Sequence, residues 1–381
     1  MQKLSVLFIC LFNLNLALAH LSDDESHRRL SDPLRIEYNK QTKDLDDPDD
    51  TSQLCRDTLE CVRTQEISDL SGNVIQATRW LAELETDMAV RHSQADLERI
   101  YRSCRDLTHS EEVAEVASQI ENTHWIHGAQ NCNENDDPEM QVESMGMGLT
   151  IIRQNKCETA EAPFLYLFET EDKVTLIDTG DIWDESSLYD QVAEIAGDRE
   201  IVIAHSHDHG DHTLGDHQFR DKENVTFIDA SMRDGKHSVY GIENWPEDIG
   251  TLDIGGGRSL QVIPVPGHEN SSVAFYDPET QMMITGDVMY PGRLYINDYP
   301  AFVNSLARMR EFSQNNPVSG YLGGHVEMST EPGEDIPFGN YAPNERSLLL
   351  KNSDLEELYQ AALRNGQDQD VVTLDNFIIR P

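Results

Sequence analysis

Between residues 55 and 125, apolar side chains recur with the three-to-four-residue period of an amphipathic helix. The segment Ser93–Asp96 has the spacing of a capping box, so we expect a helix to begin there. Large apolar stripes are rarely left uncovered in water, so this helical extension is expected to pack on the rest of the chain. The stripes are Ala77, Leu81, Leu84 and Met88; Leu97, Ile100, Tyr101 and Cys104; and Val113, Val116, Ala117 and Ile120.

From about residue 147 the pattern changes to short apolar runs that end at glycine, proline or polar residues, which predicts buried strands. Helical periodicity returns in Leu188–Ala196, Phe302–Phe312 and Leu355–Leu363. Strands and helices mixed in this way predict an α/β fold, an αβ/βα sandwich. The predicted strands are Leu149–Arg153, Phe164–Phe168, Val174–Ile177, Ile201–Ala204, Val225–Ile228, Leu260–Val265, Val273–Tyr276 and Met282–Thr285.

The beginning of the chain has the features of a secretory signal peptide. Lys3 precedes the apolar run Leu4–Leu18, and Ala17–Ala19 forms a small-residue cleavage site. We therefore expect a secreted or secretory-pathway protein, with no membrane span in the mature chain. The predicted organisation is a signal peptide (1–19), a flexible acidic leader (20–54), the helical extension (55–125) and a larger α/β domain (147–381).

The cysteines fit an oxidising compartment, where disulfides are expected. Removal of Cys10 with the signal peptide leaves an odd number. Proximity in sequence favours the pairs Cys55–Cys61 and Cys104–Cys132, with Cys157 left over.

Two Asn-x-Ser/Thr sequons, which are acceptors for N-linked glycans in secreted proteins, occur in the chain. They are Asn224-Val225-Thr226 and Asn270-Ser271-Ser272. Because Asn270 closely follows His268, a candidate site residue, we expect it to be too shielded for modification.

The excess of acidic over basic residues indicates which classes of binding partner to expect. Acidic residues outnumber basic ones by 70 to 29, which gives a formal net charge of −41. Such a surface repels phosphate backbones and anionic lipids. A nucleic-acid partner is therefore not expected, and a small-molecule substrate is; the oligomeric state stays open.

The strongest chemical signal is Ser206–His212, which concentrates histidine and aspartate just after the apolar run Ile201–Ala204. In an extended segment alternate side chains face the same way, so His207 and His209 can hold one ion. The chain then turns at Gly210, and the next two residues, Asp211 and His212, can face a second ion. A solvated loop is the alternative for this segment taken alone.

Three later residues favour the metal interpretation. His268, Asp287 and His325 each follow a glycine and a short apolar run, where strands end and backbone passes close to ligands. Any one of them alone is better explained as an ordinary loop or core residue. Their recurrence in one chain indicates a metal site.

This set of residues resembles the five-motif signature of the metallo-β-lactamase superfamily, from about Met147 to Asn344. Leu176–Gly180 resembles the first motif. Its aspartate, here Asp178, would support the segment Ser206–His212, which we call the metal loop. The Thr285-Gly286-Asp287 context resembles the glyoxalase II-like hydrolase branch. The resemblance implies a four-layer αβ/βα metallo-β-lactamase sandwich, here with an N-terminal helical extension. The other motif residues are His207, His209, Asp211 and His212, then His268, Asp287 and His325.

The resemblance also implies a division of the ligands between two ions. His207, His209 and His268 would hold the first ion. The second would be held by Asp211, His212 and His325, with Asp287 between the two ions.

Neutral imidazoles and carboxylates suit Zn²⁺, and iron or manganese would also fit. Two such ions could activate a water molecule that attacks the carbonyl of a thioester, ester, lactone or related small substrate. Asp211 is placed to orient that nucleophile, so it is the candidate catalytic residue. A mononuclear iron enzyme of the sulfur-dioxygenase type, which resembles the same branch, is the alternative.

Two residues that follow Asp287 are candidate substrate contacts, Arg293 and Tyr295. The guanidinium of Arg293 can bind a carboxylate through two parallel hydrogen bonds. A structural ion pair is the competing interpretation in so acidic a chain. Glu327 and Glu345 are candidate partners of the histidine N–H groups, with surface charges as the alternative.

Overall fold

The computed structural model describes residues 94–182, 188–228, 236–339, 341–366 and 370–381. The chain divides into two compact units, residues 1–112 and 113–381. In the first unit the described part is helical and belongs to helix α1, Gln94–Asn122, which continues into the second unit. The remaining elements described here belong to the second unit.

The first sheet has six strands in the order β1 to β6. Strands β1 to β4 are joined antiparallel, whereas β5 lies parallel to β4 and β6 parallel to β5. The carboxyl ends of β4, β5 and β6 therefore lie at the same edge of the sheet. The strands are Met140–Gly146, Leu149–Gln154, Phe164–Glu169, Lys173–Ile177, Glu200–Ala204 and Val225–Phe227.

The second sheet also has six strands, in the order β13-β12-β10-β9-β8-β7. Strands β10 and β12 are parallel, so their carboxyl ends also share one edge. A small third sheet contains β11, Gly292–Tyr295, with β14, Val372–Thr373, and β15, Phe377–Arg380. The second sheet is formed by Gly250–Gly255 (β7), Arg258–Pro264 (β8), Val273–Asp277 (β9), Met282–Gly286 (β10), Gly320–Gly323 (β12) and Leu349–Leu350 (β13).

Helices cover the outer face of each sheet. Helix α2, Leu188–Ala196, packs through Leu188 and Val192 against the first sheet. Helices α5, Tyr299–Asn315, and α6, Asn352–Asn365, pack on the second. Two short helices lie in the loop after β5: α3, Gly210–Thr213, and α4, Asp216–Phe219; 3-10 turns span Cys132–Glu134 and Lys236–Tyr240.

Three hydrophobic clusters fill the spaces between these layers. The central cluster joins the facing sides of the two sheets, with Ile151 and Phe164 from the first and Val262 and Phe275 from the second. The other two clusters lie beneath the helices. Four layers in the order helix, sheet, sheet and helix result, which confirms the expected α/β metallo-β-lactamase sandwich.

The third apolar stripe of the sequence lies at the carboxyl-terminal end of α1. Val113, Val116 and Ile120 are buried, and the last two belong to the central cluster. The first stripe and residues 55–93 lie outside the described residues, as do the signal peptide and acidic leader. Packing of the whole extension on the α/β domain therefore stays a prediction.

The expected cysteine pairing is wrong. Cys132 is bonded to Cys157, so Cys132 does not pair with Cys104 and Cys157 is not left over. The reason is the antiparallel pairing of β1 with β2, which sets Met140 opposite Gln154 and brings the segment before β1 beside the segment after β2. The predicted pair Cys55–Cys61 lies outside the described residues.

Candidate metal centre

The candidate ligands converge because they follow strands whose carboxyl ends face one another. His207, His209, Asp211 and His212 follow β5 of the first sheet. The second sheet supplies His268 after β8, Asp287 after β10 and His325 after β12. The structure brings all seven residues into two adjacent groups.

The first group contains His207, His209 and His268, whose candidate ligand atoms lie within 4.8 Å of one another. His268 Nε2 lies 3.0 Å from His209 Nδ1. The opposite nitrogen of His268, Nδ1, lies 2.7 Å from the carbonyl oxygen of Tyr295, and donation to that oxygen would leave Nε2 for a ligand. Similarly, His207 Nδ1 lies 3.1 Å from Ser206 Oγ.

The second group contains Asp211, His212, Asp287 and His325. His325 Nε2 lies 3.1 Å from Asp211 Oδ2 and 3.5 Å from Asp287 Oδ1. His212 Nε2 lies 3.3 Å from each of the same two oxygens. Asp287 also faces the first group, because its Oδ2 lies 3.6 Å from His268 Nε2.

Buried ligand atoms that make no hydrogen bond indicate that this arrangement fits a metal. Among the described residues, none hydrogen-bonds His207 Nε2, His212 Nε2 or Asp287 Oδ1, and all three atoms are buried. Buried polar atoms rarely stay unpaired, because the lost solvation is costly. Imidazole nitrogens and carboxylate oxygens are the ligands that bind divalent ions such as zinc, so the site supports divalent metal binding.

The protonation tendencies of the two groups differ. Burial lowers the pKa of His207 well below its ordinary value, and the charge of His212 adds to the effect. The pKa of His209 is also lowered, by burial and by His268. Both imidazoles are thus held in the neutral form that a metal requires.

In the second group, neighbouring charges outweigh burial. Burial alone would lower the pKa of His212 and His325, but the adjacent carboxylates raise both well above the ordinary value. Conversely, burial would raise the pKa of Asp211 and Asp287, but the two histidines lower both. Two ionised carboxylates in this space require positive charge, which either protonated histidine or a metal cation can supply.

Asp178 holds the metal loop against the end of β4. Its backbone has the left-handed φ of 65°, which aspartate tolerates better than most residues. One carboxylate oxygen accepts from the backbone N–H of Ser206 at 2.7 Å; the other accepts from Ser206 Oγ at 2.7 Å and His212 Nδ1 at 2.8 Å. His212 is therefore oriented with Nε2 toward the second group.

Gly324, the glycine that directly precedes His325, lies too close to the candidate ligands to carry a side chain. A Cβ atom on Gly324 would lie 2.5 Å from Asp287 Oδ1 and 2.8 Å from a ring carbon of His212. Any side chain there would displace the candidate ligands, so only glycine allows the backbone to pass so close to them.

A second carboxylate, Asp216, braces the same loop and was not singled out from the sequence. Its Oδ1 lies 2.9 Å from His205 Nε2 and accepts from Thr179 Oγ1 at 2.9 Å. The backbone N–H of Thr179 donates in turn to the carbonyl of His212 at 2.8 Å. His205 therefore belongs to the support of the loop rather than to either ligand group.

Glu161 is another neighbour of the centre that sequence patterns do not reveal. Its carbonyl oxygen lies 3.2 Å from His325 Nδ1, which orients this ring as Tyr295 orients His268. Burial raises the pKa of the Glu161 carboxyl group. No motif marks this position, because the carbonyl of any residue type could accept the hydrogen bond.

The two candidate substrate contacts have different surroundings. Arg293 is buried and donates to Glu327 Oε1 at 2.7 Å and to Asp335 Oδ2 at 3.0 Å, which is the structural ion pair left open by the sequence. Tyr295 is 50% exposed, and its carbonyl contacts His268. Arg153 forms an ion pair with Glu345. Neither Glu327 nor Glu345 has the expected role of a histidine partner among the described contacts.

Comparisons with known proteins identify similar chains. A sequence model of the metallo-beta-lactamase superfamily matches residues 159–325. Hydroxyacylglutathione hydrolase of Prochlorococcus marinus is 26% identical over 180 residues, which cover 45% of this chain and 66% of that protein. Acyl-coenzyme A thioesterase MBLAC2 of Homo sapiens is 24% identical over 226 residues, which cover 48% of this chain and 80% of that protein.

Solved structures are also similar. The metallo-beta-lactamase FIM-1 from Pseudomonas aeruginosa, in a mono-zinc form, has a TM-score of 0.43 and 14% sequence identity. The similarity covers 61% of this chain and 99% of that one.

Within the described residues, no helix is both long and apolar enough to cross a membrane.

Proposed function

We propose that this chain is a metal-dependent hydrolase of the metallo-beta-lactamase superfamily that uses two zinc ions to hydrolyse a thioester. The observation that carries the proposal is the pair of ligand groups that meet at Asp287. One carboxylate oxygen of Asp287 faces His212 and His325, and the other faces His268. A carboxylate that faces two groups in this way suits two ions close together.

The residues of the chain have distinct roles in this proposal. His207, His209 and His268 would hold the first ion, Asp211, His212 and His325 would hold the second, and Asp287 could contribute to both. Zinc ions bound here would supply a water of lowered pKa and a positive partner for the substrate carbonyl oxygen. Iron or manganese would satisfy the same ligand types.

Asp211 is the carboxylate best placed to orient the attacking water. Its side chain is 23% exposed, whereas that of Asp287 is 8% exposed. Contacts with His325 and His212 lower its pKa, so it stays ionised and accepts a hydrogen bond from water. No side chain need serve as the nucleophile.

The names of two relatives support a thioester rather than another carbonyl substrate. One is a hydroxyacylglutathione hydrolase and the other an acyl-coenzyme A thioesterase. Both names describe cleavage of an acyl group from sulfur, although the two thiols differ greatly. The acyl–sulfur bond is the shared chemistry, so we assign the reaction class to the bond and not to either thiol.

A substrate panel on the purified, zinc-loaded protein tests this function. Release of free thiol from hydroxyacyl-glutathione and acyl-coenzyme A is measured beside hydrolysis of a lactone, a simple ester and a β-lactam, with Asp211→Ala as control. Thioester turnover that Asp211→Ala abolishes is expected. Turnover of the lactone alone would overturn the thioester. Metal content and oxygen uptake are measured separately on the protein as purified, before zinc is added, and one iron per chain with oxygen uptake would replace the hydrolase by a dioxygenase.

We further propose that the chain enters the secretory pathway. The signal-peptide pattern of residues 1–19 supports this route, and the Cys132–Cys157 disulfide is consistent with an oxidising compartment. Residues 20–381 recovered from the medium of expressing cells, with cleavage after Ala19 seen by amino-terminal sequencing, would agree. An uncleaved chain in the cytosol would contradict it.

A further inference from the structure

The sequon at Asn224 lies on an accessible turn at one edge of the first sheet. Asn224 immediately precedes β6, and it is exposed together with the three residues before it, Asp221, Lys222 and Glu223. Its φ of 62° turns the chain sharply into the strand, and asparagine is among the few residues that tolerate this conformation. The acceptor side chain therefore projects from a surface turn, the setting in which a bulky glycan can be tolerated.

We propose that Asn224 carries an N-linked glycan that covers the free edge of β6. Strand β6 is the last strand of its sheet and, among the described strands, pairs only with β5. An unpaired strand edge offers backbone groups to a second chain, and proteins commonly cover such edges. A hydrophilic oligosaccharide at the start of this strand would hinder that pairing.

The position also keeps a glycan away from the metal centre. Asn224 lies beside the start of β5, because its carbonyl accepts from the N–H of Ile201 at 2.8 Å. The metal loop begins at Ser206, five positions along an extended chain, or roughly 16 Å away at the rise of a strand. A glycan on Asn224 is therefore compatible with substrate access.

The second sequon differs in its surroundings. Asn270 is exposed, so the expectation that it is shielded is wrong. It nevertheless lies in a tight turn beside the metal centre: Ser271 Oγ donates to Glu269 at 2.6 Å and accepts from the N–H of Asp208, which follows His207 in the metal loop. Asn270 thus provides a matched control for Asn224.

The modification transfers an oligosaccharide from a lipid diphosphate donor to Asn224 Nδ2. A bond forms between this nitrogen and the first sugar carbon, the bond from that carbon to the diphosphate oxygen breaks, and the amide loses one proton. The inference rests on the proposed secretory route, since the donor and its transferase are found there. It does not depend on the hydrolase reaction.

The test uses the full chain expressed in insect or mammalian cells. Treatment with peptide N-glycosidase F should increase gel mobility and convert Asn224 to aspartate, detected by peptide mass spectrometry. Asn224→Asp, which keeps a residue tolerant of positive φ, should remove the shift, whereas Asn270→Gln should retain it. Thr226→Ala should remove it and Thr226→Ser should restore it, although both alter the residue that bonds Glu200.

Several results would overturn the inference. Chain recovered from the medium with unmodified Asn224 would refute the glycan while leaving the secretory route intact, and unmodified chain in the cytosol would refute both. If Asn224→Asp is secreted and hydrolyses substrate normally but associates no more than the glycosylated chain in light scattering, the covering role is refuted. Increased association with unchanged hydrolysis is the expected result.

Discussion

His212 is held in place by Asp178, whose carboxylate accepts a 2.8 Å hydrogen bond from His212 Nδ1. Asp178→Asn removes the charge and keeps a residue that tolerates positive φ. Because such partners orient metal-binding histidines, zinc affinity of the second group is expected to fall about 10–100-fold. Competition with a zinc chelator measures the change. Asp253→Asn is the control, since the Asp253 side chain is 70% exposed. An equal loss of zinc affinity in this variant would show that the effect does not depend on the contact between Asp178 and His212.

His207→Ala and His268→Ala should each strip metal from the first group and abolish hydrolysis. Both remove a candidate ligand, and activity should fall by more than the roughly 100-fold that loss of an orienting partner causes. His205→Ala should keep most activity, because its ring contacts Asp216 instead of the ligand groups. Metal content and turnover are measured together. Turnover of His207→Ala at the wild-type rate would remove His207 from the site.

Asp287→Asn should lower the occupancy of both metal positions and the rate together. The carboxylate faces both groups, so replacing one charged oxygen by an amide weakens the attraction for either ion. Mass spectrometry of the intact protein under native conditions counts the ions per chain. Two ions with a full rate would show that Asp287 does not bridge them.

Zinc affinity of the second group should weaken more steeply than that of the first as the pH falls from 8 to 6. The pKa values of His212 and His325 are raised, so zinc must displace their protons, whereas the pKa values of His207 and His209 are lowered and their rings are already neutral. Lower pH therefore favours the competing proton mainly in the second group.

Two variants isolate these pH dependences. His268→Ala leaves every member of the second group in place, and His325→Ala leaves every member of the first. Titration calorimetry in buffers of different ionisation enthalpy should show proton release on zinc binding to His268→Ala and little release with His325→Ala. Equal release by both variants would contradict the difference between the groups.

Ile120→Ala should lower the free energy of unfolding by about 2–5 kcal/mol, the cost typical of removing a buried aliphatic side chain. Ile120 belongs to the central cluster between the sheets, so the carboxyl-terminal part of α1 contributes to the α/β domain. Glu115→Ala on the exposed face of the same helix is the control. Denaturant unfolding measures both. A change below 1 kcal/mol in Ile120→Ala would contradict this contribution.

Deleting residues 55–123 should expose apolar surface and lower solubility, since Val116 and Ile120 pack in the central cluster. All seven candidate ligands remain in the shortened chain. Binding of a hydrophobic dye and sedimentation measure the effect. A soluble and equally stable fragment of residues 124–381 with full activity would show that the extension is an independent module.

The sequence predicted those parts of the site that depend on local pattern. Strand ends place His268, Asp287 and His325 at one edge of a sheet, and short apolar runs and glycines mark such ends. The cysteine pairing failed because Cys132 and Cys157 meet through strand register, which separation in sequence does not encode.

The residues that support the candidate ligands were also not predicted from the sequence. Asp216 contacts His205 and Thr179 across two strand ends, and no spacing rule relates the three positions. The role of Arg293 was left open because a guanidinium suits a substrate and an ion pair equally well. The positions of Glu327 and Asp335 show that Arg293 forms ion pairs within the chain.

Each ligand group takes residues from both sheets: the first joins His207 and His209 to His268, and the second joins Asp211 and His212 to Asp287 and His325. An ion bound in either group would therefore cross-link the two sheets of the sandwich. Ligand binding to the folded state alone adds about 2.7 kcal/mol of stability when the free ligand is a hundredfold above its Kd. Chelation should consequently lower the melting temperature as well as stop hydrolysis, and the metal supply would shift the equilibrium between folded and unfolded protein.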